Sequence, residues 1–240
     1  MKIITVENYE EMSALAAKII SEVVRGNPYA TLGLATGSTV LGTYAQLRDM
    51  CAKGAISFKN IKAVNLDEYV GLDGDHEQSY AYYMRNNLFN HIDIDLCNTF
   101  IPCGTAPDLA DECNGYNEML DIIPRDIQLL GLGSDGHIAF NEPGSSFDSR
   151  TRVVQLEEST IKDNSRLFTR VEDVPQSAIS MGIADIMSAK KLLLLASGLN
   201  KAQAVKAMVR GRVSEQCPAS ILQRHPDAIV ILDKQAATLL

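Results

Sequence analysis

"QLLGLGSDGHIAFNEPGSSF", residues 128–147, starts as an unbroken apolar run and turns abruptly into a loop rich in glycine and polar groups. An unbroken run is typical of a strand buried on both faces of a sheet, because half-exposed strands alternate apolar and polar residues. The stretch therefore predicts a buried strand with chemically active side chains directly after its carboxyl end.

Similar apolar runs recur along the chain, and segments with helical spacing lie between them. The predicted strands span 29–35, 61–67, 99–102, 127–133, 191–197 and 228–233. The predicted helices span 8–25, 40–53, 79–90, 108–122, 175–189 and 199–210. This alternation predicts an α/β fold, a single-domain Rossmann-like sandwich with a mostly parallel sheet covered by helices on both faces.

The length and composition suit one large hydrophobic core. The chain has 240 residues, of which 46% are hydrophobic, and a chain of this size buries most of the surface that its unfolded form exposes. No internal repeat, low-complexity tract or long linker divides the sequence. We therefore expect a single domain over residues 1–240.

Charge and cysteine content narrow the partners and the location. The 22 Lys and Arg against 30 Asp and Glu give a net charge of −8 with scattered basic residues, which disfavours nucleic acid as a partner. No run approaches the ~20 apolar residues of a membrane span, and the first residues lack the pattern of a signal peptide. The five cysteines form neither a CxxC pair nor a Cys/His cluster, which predicts reduced thiols without a disulfide or zinc site. We expect a cytoplasmic protein.

Polar segments follow four of the predicted strands. They are "TGST", "DEY", "GSDGH" and "SGLNK". In parallel α/β sheets, ligands bind just beyond the carboxyl ends of the strands. We therefore expect these four segments to form one composite site.

The segment after the first of these strands is a candidate anion cradle. It comprises Thr36, Gly37, Ser38 and Thr39. Backbone NH groups at a helix start, helped by hydroxyls and the helix dipole, suit a phosphate, although an ordinary capped turn explains the same residues. The segment fits neither the Walker A nor the GxGxxG pattern, which argues against nucleoside triphosphates and dinucleotides. Lys201 and Arg166 are candidate cationic partners, although an isolated Lys or Arg is more often a solvated surface group.

The second polar segment places Asp67 and Glu68 at the end of a strand. A carboxylate in this position can act as a general base. Adjacent side chains of a strand point in opposite directions, so at most one of the two faces a ligand. The alternatives are a solvated acidic pair or a helix cap.

The opening stretch holds the third group of candidates, Asp135, His137 and Glu142. A histidine takes and returns a proton near neutral pH, and a nearby carboxylate orients it and sets its tautomer. Both Asp135 and Glu142 are candidate orienters. A GxSxG elbow is absent from the sequence, which disfavours a Ser-His-Asp hydrolase, and the spacing fits a metal site poorly. A polar loop without chemistry remains the alternative.

Five segments together resemble the glucosamine-6-phosphate deaminase family. They are "LGLATGST", "NLDEYVGL", "SYAYYM", "GLGSDGHIAFNEPGSSFDSRTR" and "SGLNKAQAV", in this order from about residue 32 to 205. The wider superfamily includes 6-phosphogluconolactonase, which shares the fold and a "DGH" loop. The continuation "IAFNEP" is similar to the deaminase branch.

The resemblance implies a cofactor-free, metal-free conversion of glucosamine-6-phosphate and water to fructose-6-phosphate and ammonia. Asp67 would be the base for the aldose-to-ketose isomerisation and would be ionised when the substrate arrives. His137 would open the sugar ring, tuned by Asp135 and Glu142. In this family the phosphate is held by the counterparts of Gly37, Ser38, Thr39, Arg166 and Lys201. A sugar-phosphate lactonase and a non-catalytic sugar-phosphate sensor are the alternatives.

The sequence departs from the best-known members of the family, hexamers activated by N-acetylglucosamine-6-phosphate. Those members carry a basic residue where "SRTRVV" has Val154, and a longer tail beyond the position of Leu240. The resemblance therefore implies a short, constitutively active form. It leaves open whether that form is a monomer or a homo-oligomer.

Overall fold

Strands and helices alternate along the chain in the computed structural model, which describes residues 1–157, 168, 170 and 173–240. The strands are β1 (Lys2–Val6), β2 (Thr31–Leu34), β3 (Lys62–Asn65), β4 (Asp67–Tyr69), β5 (Thr99–Phe100), β6 (Ile127–Leu130), β7 (Arg152–Gln155), β8 (Ser177–Ser180), β9 (Leu192–Ala196) and β10 (Ala228–Asp233). The α-helices are α1 (Tyr9–Gly26), α2 (Leu41–Ala52), α3 (Tyr80–Asn87), α4 (Leu109–Ile122), α5 (Ile183–Met187) and α6 (Ala202–Arg210). Short 3-10 helices span Ser38–Val40, Phe89–His91, Leu96–Asn98, Leu199–Lys201 and Pro218–Arg224.

Seven strands form a parallel sheet in the order β1-β10-β9-β6-β2-β3-β5. All residues of β2, β6 and β9 are buried, as their unbroken apolar runs predict. The predicted α/β fold with a mostly parallel sheet is confirmed. The edge strand β1 was not predicted, because its exposed and half-buried residues include Lys2 and Thr5 and so interrupt the apolar run.

The order of the strands reverses between β2 and β6. From β2 the chain moves outward through β3 to β5, and from β6 it moves the opposite way through β9 to β10. Right-handed crossovers in opposite directions place their helices on opposite faces of the sheet. Accordingly α1 packs against α2 on one face, while α4 and α6 belong to crossovers that run the other way.

Side-chain caps begin three of the long helices. Asn8 accepts the NH of Glu11 before α1, Ser79 accepts the NH of Tyr82 before α3, and Asp108 accepts two NH groups before α4. Each cap satisfies a backbone donor that has no partner within the helix. The predicted helices 8–25, 40–53, 79–90, 108–122 and 199–210 are confirmed to within a few residues.

A small antiparallel sheet, β4-β8-β7, lies beside the parallel one. The helix predicted over 175–189 is wrong in its first half, because β8 pairs with β4 and β7 before α5 begins. This pairing joins residues that lie from about 25 to more than 100 positions apart in the sequence, and it outweighs the local helical spacing. The predicted strand 61–67 likewise divides at Leu66, where the chain passes from β3 into β4.

The core is one large cluster of buried apolar side chains drawn from Met12 to Ala236. A second, smaller cluster around Tyr69 and Phe140 lies under the antiparallel sheet. Among the described residues, no helix has the length and apolar character needed to cross a membrane.

Candidate active site

A cavity of about 260 Å³ opens at the carboxyl ends of β2, β3, β6 and β9. Its lining includes residues from each of the four polar segments identified in the sequence. It lies where the strand order reverses between β2 and β6, the usual place for a ligand in an open α/β sheet. Residues of all four predicted segments therefore line a single cavity.

Asp67 is the acidic residue in the cavity wall contributed by the "DEY" segment. It begins β4 and is only 6% exposed. Burial, with a smaller contribution from the charge of Glu68, raises the pKa of Asp67 to about 8. The buried carboxyl therefore favours the neutral acid at pH 7, whereas the family resemblance implies an ionised base.

Glu68 lies in a different environment from Asp67, although the two are adjacent in β4. Its carboxylate accepts the NH groups of Tyr69, Tyr80 and Ala81 at 2.8–2.9 Å, so it ties β4 to the start of α3. Burial raises the pKa of Glu68, while the three NH groups and Arg85 oppose that rise. Of the two carboxylates, one lines the cavity and the other caps a helix.

His137 lies in the cavity wall with Asp135 behind it. Nδ1 of His137 is 2.7 Å from Oδ1 of Asp135, and that oxygen also accepts the backbone NH of His137 at 3.1 Å. Partial burial disfavours the Asp135 anion, but the hydrogen bond and charge of His137 outweigh burial and lower the pKa of Asp135 to about 2. Asp135 is therefore ionised near neutral pH and can orient the imidazole.

Gly133 provides the room that the imidazole occupies. A Cβ on Gly133 would lie 2.3 Å from the ring of His137, closer than any real packing contact. Two residues after His137, Ala139 adopts a positive φ of 52°, an uncommon conformation for a residue with a side chain. Both features belong to the loop of the opening stretch, which lines the cavity on this side.

Glu142, the other candidate orienter, is buried outside the cavity lining. Its Oε1 accepts the NH of Glu157 at 3.3 Å, a contact that joins the loop to the end of β7. Of the two candidate orienters, Asp135 is the one that contacts the imidazole of His137 directly among the described residues.

The candidate anion cradle faces the same cavity. Its lining residues are Thr36, Gly37, Ser38 and Thr39. Gly37 has φ 98° and precedes the 3-10 turn that leads into α2; as glycine, it offers no side-chain acceptor to the NH groups of the turn. Tyr83 donates to the carbonyl of Gly37 at 2.7 Å and Tyr9 to that of Ser38 at 3.0 Å. These two tyrosines hold the turn in shape.

One of the two candidate cations is placed at the cavity. Lys201 ends the 3-10 turn before α6 and is part of the lining. Arg166 lies outside the residues that the structure describes.

Two aromatic residues of the cavity wall were not predicted as site residues. The rings of Tyr80 and Phe140 are stacked at 6.1 Å, and Tyr69 packs on Tyr80 at 4.8 Å. Burial raises the pKa of Tyr80 well above its usual value. In the sequence, the one indication that Tyr80 lies near the site is its position directly after Ser79, the residue that caps α3.

Almost the whole chain matches the model of a known protein family. Residues 6–231 match the model of the family described as glucosamine-6-phosphate isomerases/6-phosphogluconolactonase. The chain belongs to this family.

Within the glucosamine-6-phosphate isomerase/6-phosphogluconolactonase family, close relatives share one name. The glucosamine-6-phosphate deaminase of Clostridium perfringens strain 13 is 50% identical, and glucosamine-6-phosphate deaminase 1 of Bacillus subtilis strain 168 is 48% identical. The matches cover 100% of this chain and 100% and 99% of those relatives. A solved monomeric glucosamine-6-phosphate deaminase is 48% identical, with both chains fully covered and a TM-score of 0.98.

The lactonase branch of the family is more distant. The 6-phosphogluconolactonase of Trypanosoma brucei is 22% identical, with a TM-score of 0.82 over 100% of this chain and 98% of that one. At this identity the likeness shows a shared fold and nothing about the substrate.

Proposed function

We propose that this protein converts glucosamine-6-phosphate and water to fructose-6-phosphate and ammonia. The observation that carries the proposal is the meeting of Asp67 and His137 in one cavity with the Gly37 turn and Lys201. Two proton-transfer groups and an anion cradle are what an isomerisation of a phosphorylated sugar requires. The relatives at 48–50% identity over the full chain support the same substrate.

His137 opens the sugar ring in this proposal. Opening a cyclic hemiacetal removes a proton from the hydroxyl on the first carbon and delivers one to the ring oxygen. An imidazole can perform both transfers, because it gains and loses protons near neutral pH. Asp135, 2.7 Å from Nδ1, stabilises the protonated ring and directs Nε2 to the substrate. Glu142 supports the loop that carries His137.

Asp67 then moves a proton from the carbon that bears the amino group to the neighbouring carbonyl carbon. One proton of the substrate's ammonium passes to the carbonyl oxygen in the same conversion, so the product is a protonated imine. Water hydrolyses this imine to the ketone and ammonia, the latter in its protonated form, so the atoms balance without an oxidant or reductant. All the steps are proton transfers or hydrolysis, and the proposal needs no cofactor. General acid and base groups contribute roughly 10²- to 10⁴-fold each.

The substrate itself supplies the charge that ionises Asp67. Burial in the protein holds the pKa of Asp67 at about 8. The amino group of glucosamine-6-phosphate is largely an ammonium near neutral pH and sits on the carbon that Asp67 deprotonates. An adjacent cation favours the carboxylate, so we infer that binding lowers the pKa of Asp67 and activates the base.

Phosphate binding positions the acyclic substrate between these two groups. The NH groups and hydroxyls of the Thr36–Thr39 turn donate hydrogen bonds to the phosphate at the start of α2, and Lys201 neutralises its charge. Arg166, a residue of the family pattern outside the described part of the chain, completes this set. Binding energy gained at the phosphate can be used for orientation at the distant reacting carbons.

Ammonia release from glucosamine-6-phosphate is the direct test. The wild type should release ammonia and fructose-6-phosphate in equal amounts, and Asp67→Asn should abolish both. Hydrolysis of 6-phosphogluconolactone without ammonia release would instead favour the lactonase hypothesis. Binding of sugar phosphates with no turnover would favour a sensor.

We also propose a cytoplasmic, monomeric, single-domain protein over residues 1–240. All five cysteines are free thiols, which fits a reducing compartment. The solved relative at 48% identity is a monomeric enzyme. Sedimentation of the purified protein at micromolar concentration tests the oligomeric state.

A further inference from the structure

Two glycine turns in the molecule have nearly the same backbone conformation. Gly37 has φ 98° and ψ 170°, and Gly198 has φ 95° and ψ 154°. Each follows a buried strand of the parallel sheet and leads through a 3-10 turn into an α-helix, α2 or α6. Both turns serve the cavity, the first through its own residues and the second through Lys201.

A carboxylate of the protein binds the NH of Gly198 at the start of the second turn. Asp233, the last residue of β10, is 5% exposed and accepts the NH of Gly198 at 3.1 and 3.0 Å. It also accepts the hydroxyl of Ser197 at 2.6 Å and the NH of Ala236 at 2.7 Å. An ionised carboxylate is an acceptor only and can serve all these donors at once.

Lys201 depends on this turn for its position. The turn closes with the NH of Lys201 donating to the carbonyl of Gly198 at 3.1 Å, and α6 begins at the next residue. A displacement of Gly198 therefore moves the backbone of Lys201 with it. Asp233 connects this turn to β10, a fully paired strand inside the parallel sheet.

We propose that Asp233 is a positioning residue for the substrate phosphate. Its carboxylate fixes Gly198 at the start of the turn and so holds Lys201 at the cavity. This role rests on the proposed function only in that Lys201 binds the phosphate. Asp233 itself does not touch the reacting atoms.

The test uses the variant Asp233→Asn. It keeps the size of the side chain but replaces one carboxylate oxygen with an NH2 group, a donor that would face the donors now bound to Asp233. We expect KM for glucosamine-6-phosphate and Ki for inorganic phosphate to rise together by about tenfold, with a much smaller change in kcat. Asp227→Asn is the matched control, since Asp227 precedes the opposite end of β10 and its side chain pairs with Lys191 at the surface. The control should behave as the wild type does.

A double-mutant cycle separates positioning from general destabilisation. If Asp233 acts through Lys201, the effect of Asp233→Asn on phosphate Ki should largely vanish in a Lys201→Ala background. A full effect in that background, or an unchanged Ki in the single variant, would overturn the proposal. Should Asp233→Asn fail to fold, Ser197→Ala removes one of the same hydrogen bonds and should raise Ki in the same direction, and an unchanged Ki there would also overturn it.

Failure of the proposed function gives a different result. A wild type that releases no ammonia contradicts the deaminase assignment. Inorganic phosphate binding, measured by calorimetry in the same variants, still tests Asp233. The two outcomes therefore cannot be confused.

Discussion

Nδ1 of His137 lies 2.7 Å from Oδ1 of Asp135, and the same oxygen accepts the backbone NH of His137. The carboxylate therefore holds both the ring and the backbone of the histidine. We expect Asp135→Asn to lower kcat for ammonia release by roughly 10²-fold, because an amide neither stabilises the imidazolium nor sets the tautomer as strongly. Asp148→Asn, an exposed change in the same loop, is the control. A wild-type kcat in Asp135→Asn would show that the contact has no catalytic role.

Gly133→Ala should displace the imidazole without removing it. The new Cβ would lie 2.3 Å from the ring, and a misplacement of about 1 Å can cost 10²-fold in rate. We expect kcat/KM to fall by about that factor. Gly115→Ala, within α4 and with open space around the new Cβ, should retain full activity. Equal activity of the two variants would contradict the steric interpretation.

The pH dependence of kcat/KM should report the pKa of Asp67 in the free enzyme. That pKa is about 8, and the base must be ionised, so kcat/KM should rise with pH and level off above about pH 8. The limb in kcat should lie at lower pH, since the substrate's ammonium favours the carboxylate in the complex. Carboxyl ¹³C NMR, with Asp67→Asn to assign the signal, checks the titration directly. A carboxyl that titrates near pH 4 would contradict the effect of burial.

Asp67→Asn should stabilise the fold increasingly as pH rises. The unfolded carboxyl loses its proton near pH 3.8, whereas the folded one keeps it to about pH 8. Between these values the unfolded state binds fewer protons, so the free energy of unfolding of the wild type falls with pH, while that of the variant lacks this contribution. We expect nearly equal melting temperatures at pH 4 and an advantage of at least about 4 °C for the variant at pH 8. Thermal melts at both pH values decide it, and a constant difference would argue against a buried, neutral Asp67.

The rate curve should be hyperbolic and indifferent to N-acetylglucosamine-6-phosphate. Val154, at the position where the family resemblance implies a basic residue in activated members, is packed in β7 against the small apolar cluster around Tyr69 and Phe140. An apolar side chain there offers no charge to a second phosphate. Initial rates with and without the compound test this prediction. A sigmoidal curve that turned hyperbolic on its addition would contradict it.

Much of the fold and the composition of the site follow from local patterns. The unbroken runs at β2, β6 and β9 predict buried parallel strands, because a strand covered on both faces has no polar side. Once the sheet is parallel, the segments that hold Asp67, His137 and Lys201 must gather at one edge. The motif resemblance then indicated the family to which these residues belong.

Other features depend on contacts between distant parts of the chain, which local sequence does not specify. The segment that forms β8 has helical spacing, and its pairing with β4 and β7 makes it a strand. Glu68 accepts NH groups at the start of α3, whereas Asp67 lines the cavity. Asp233 looked like the end of an ordinary strand until the fold brought it to Gly198. The sequence by itself determined most of the parallel sheet and the set of candidate groups at its edge. The tertiary structure decided their orientation, pairing and protonation, because desolvation and long-range hydrogen bonds arise only when remote segments meet.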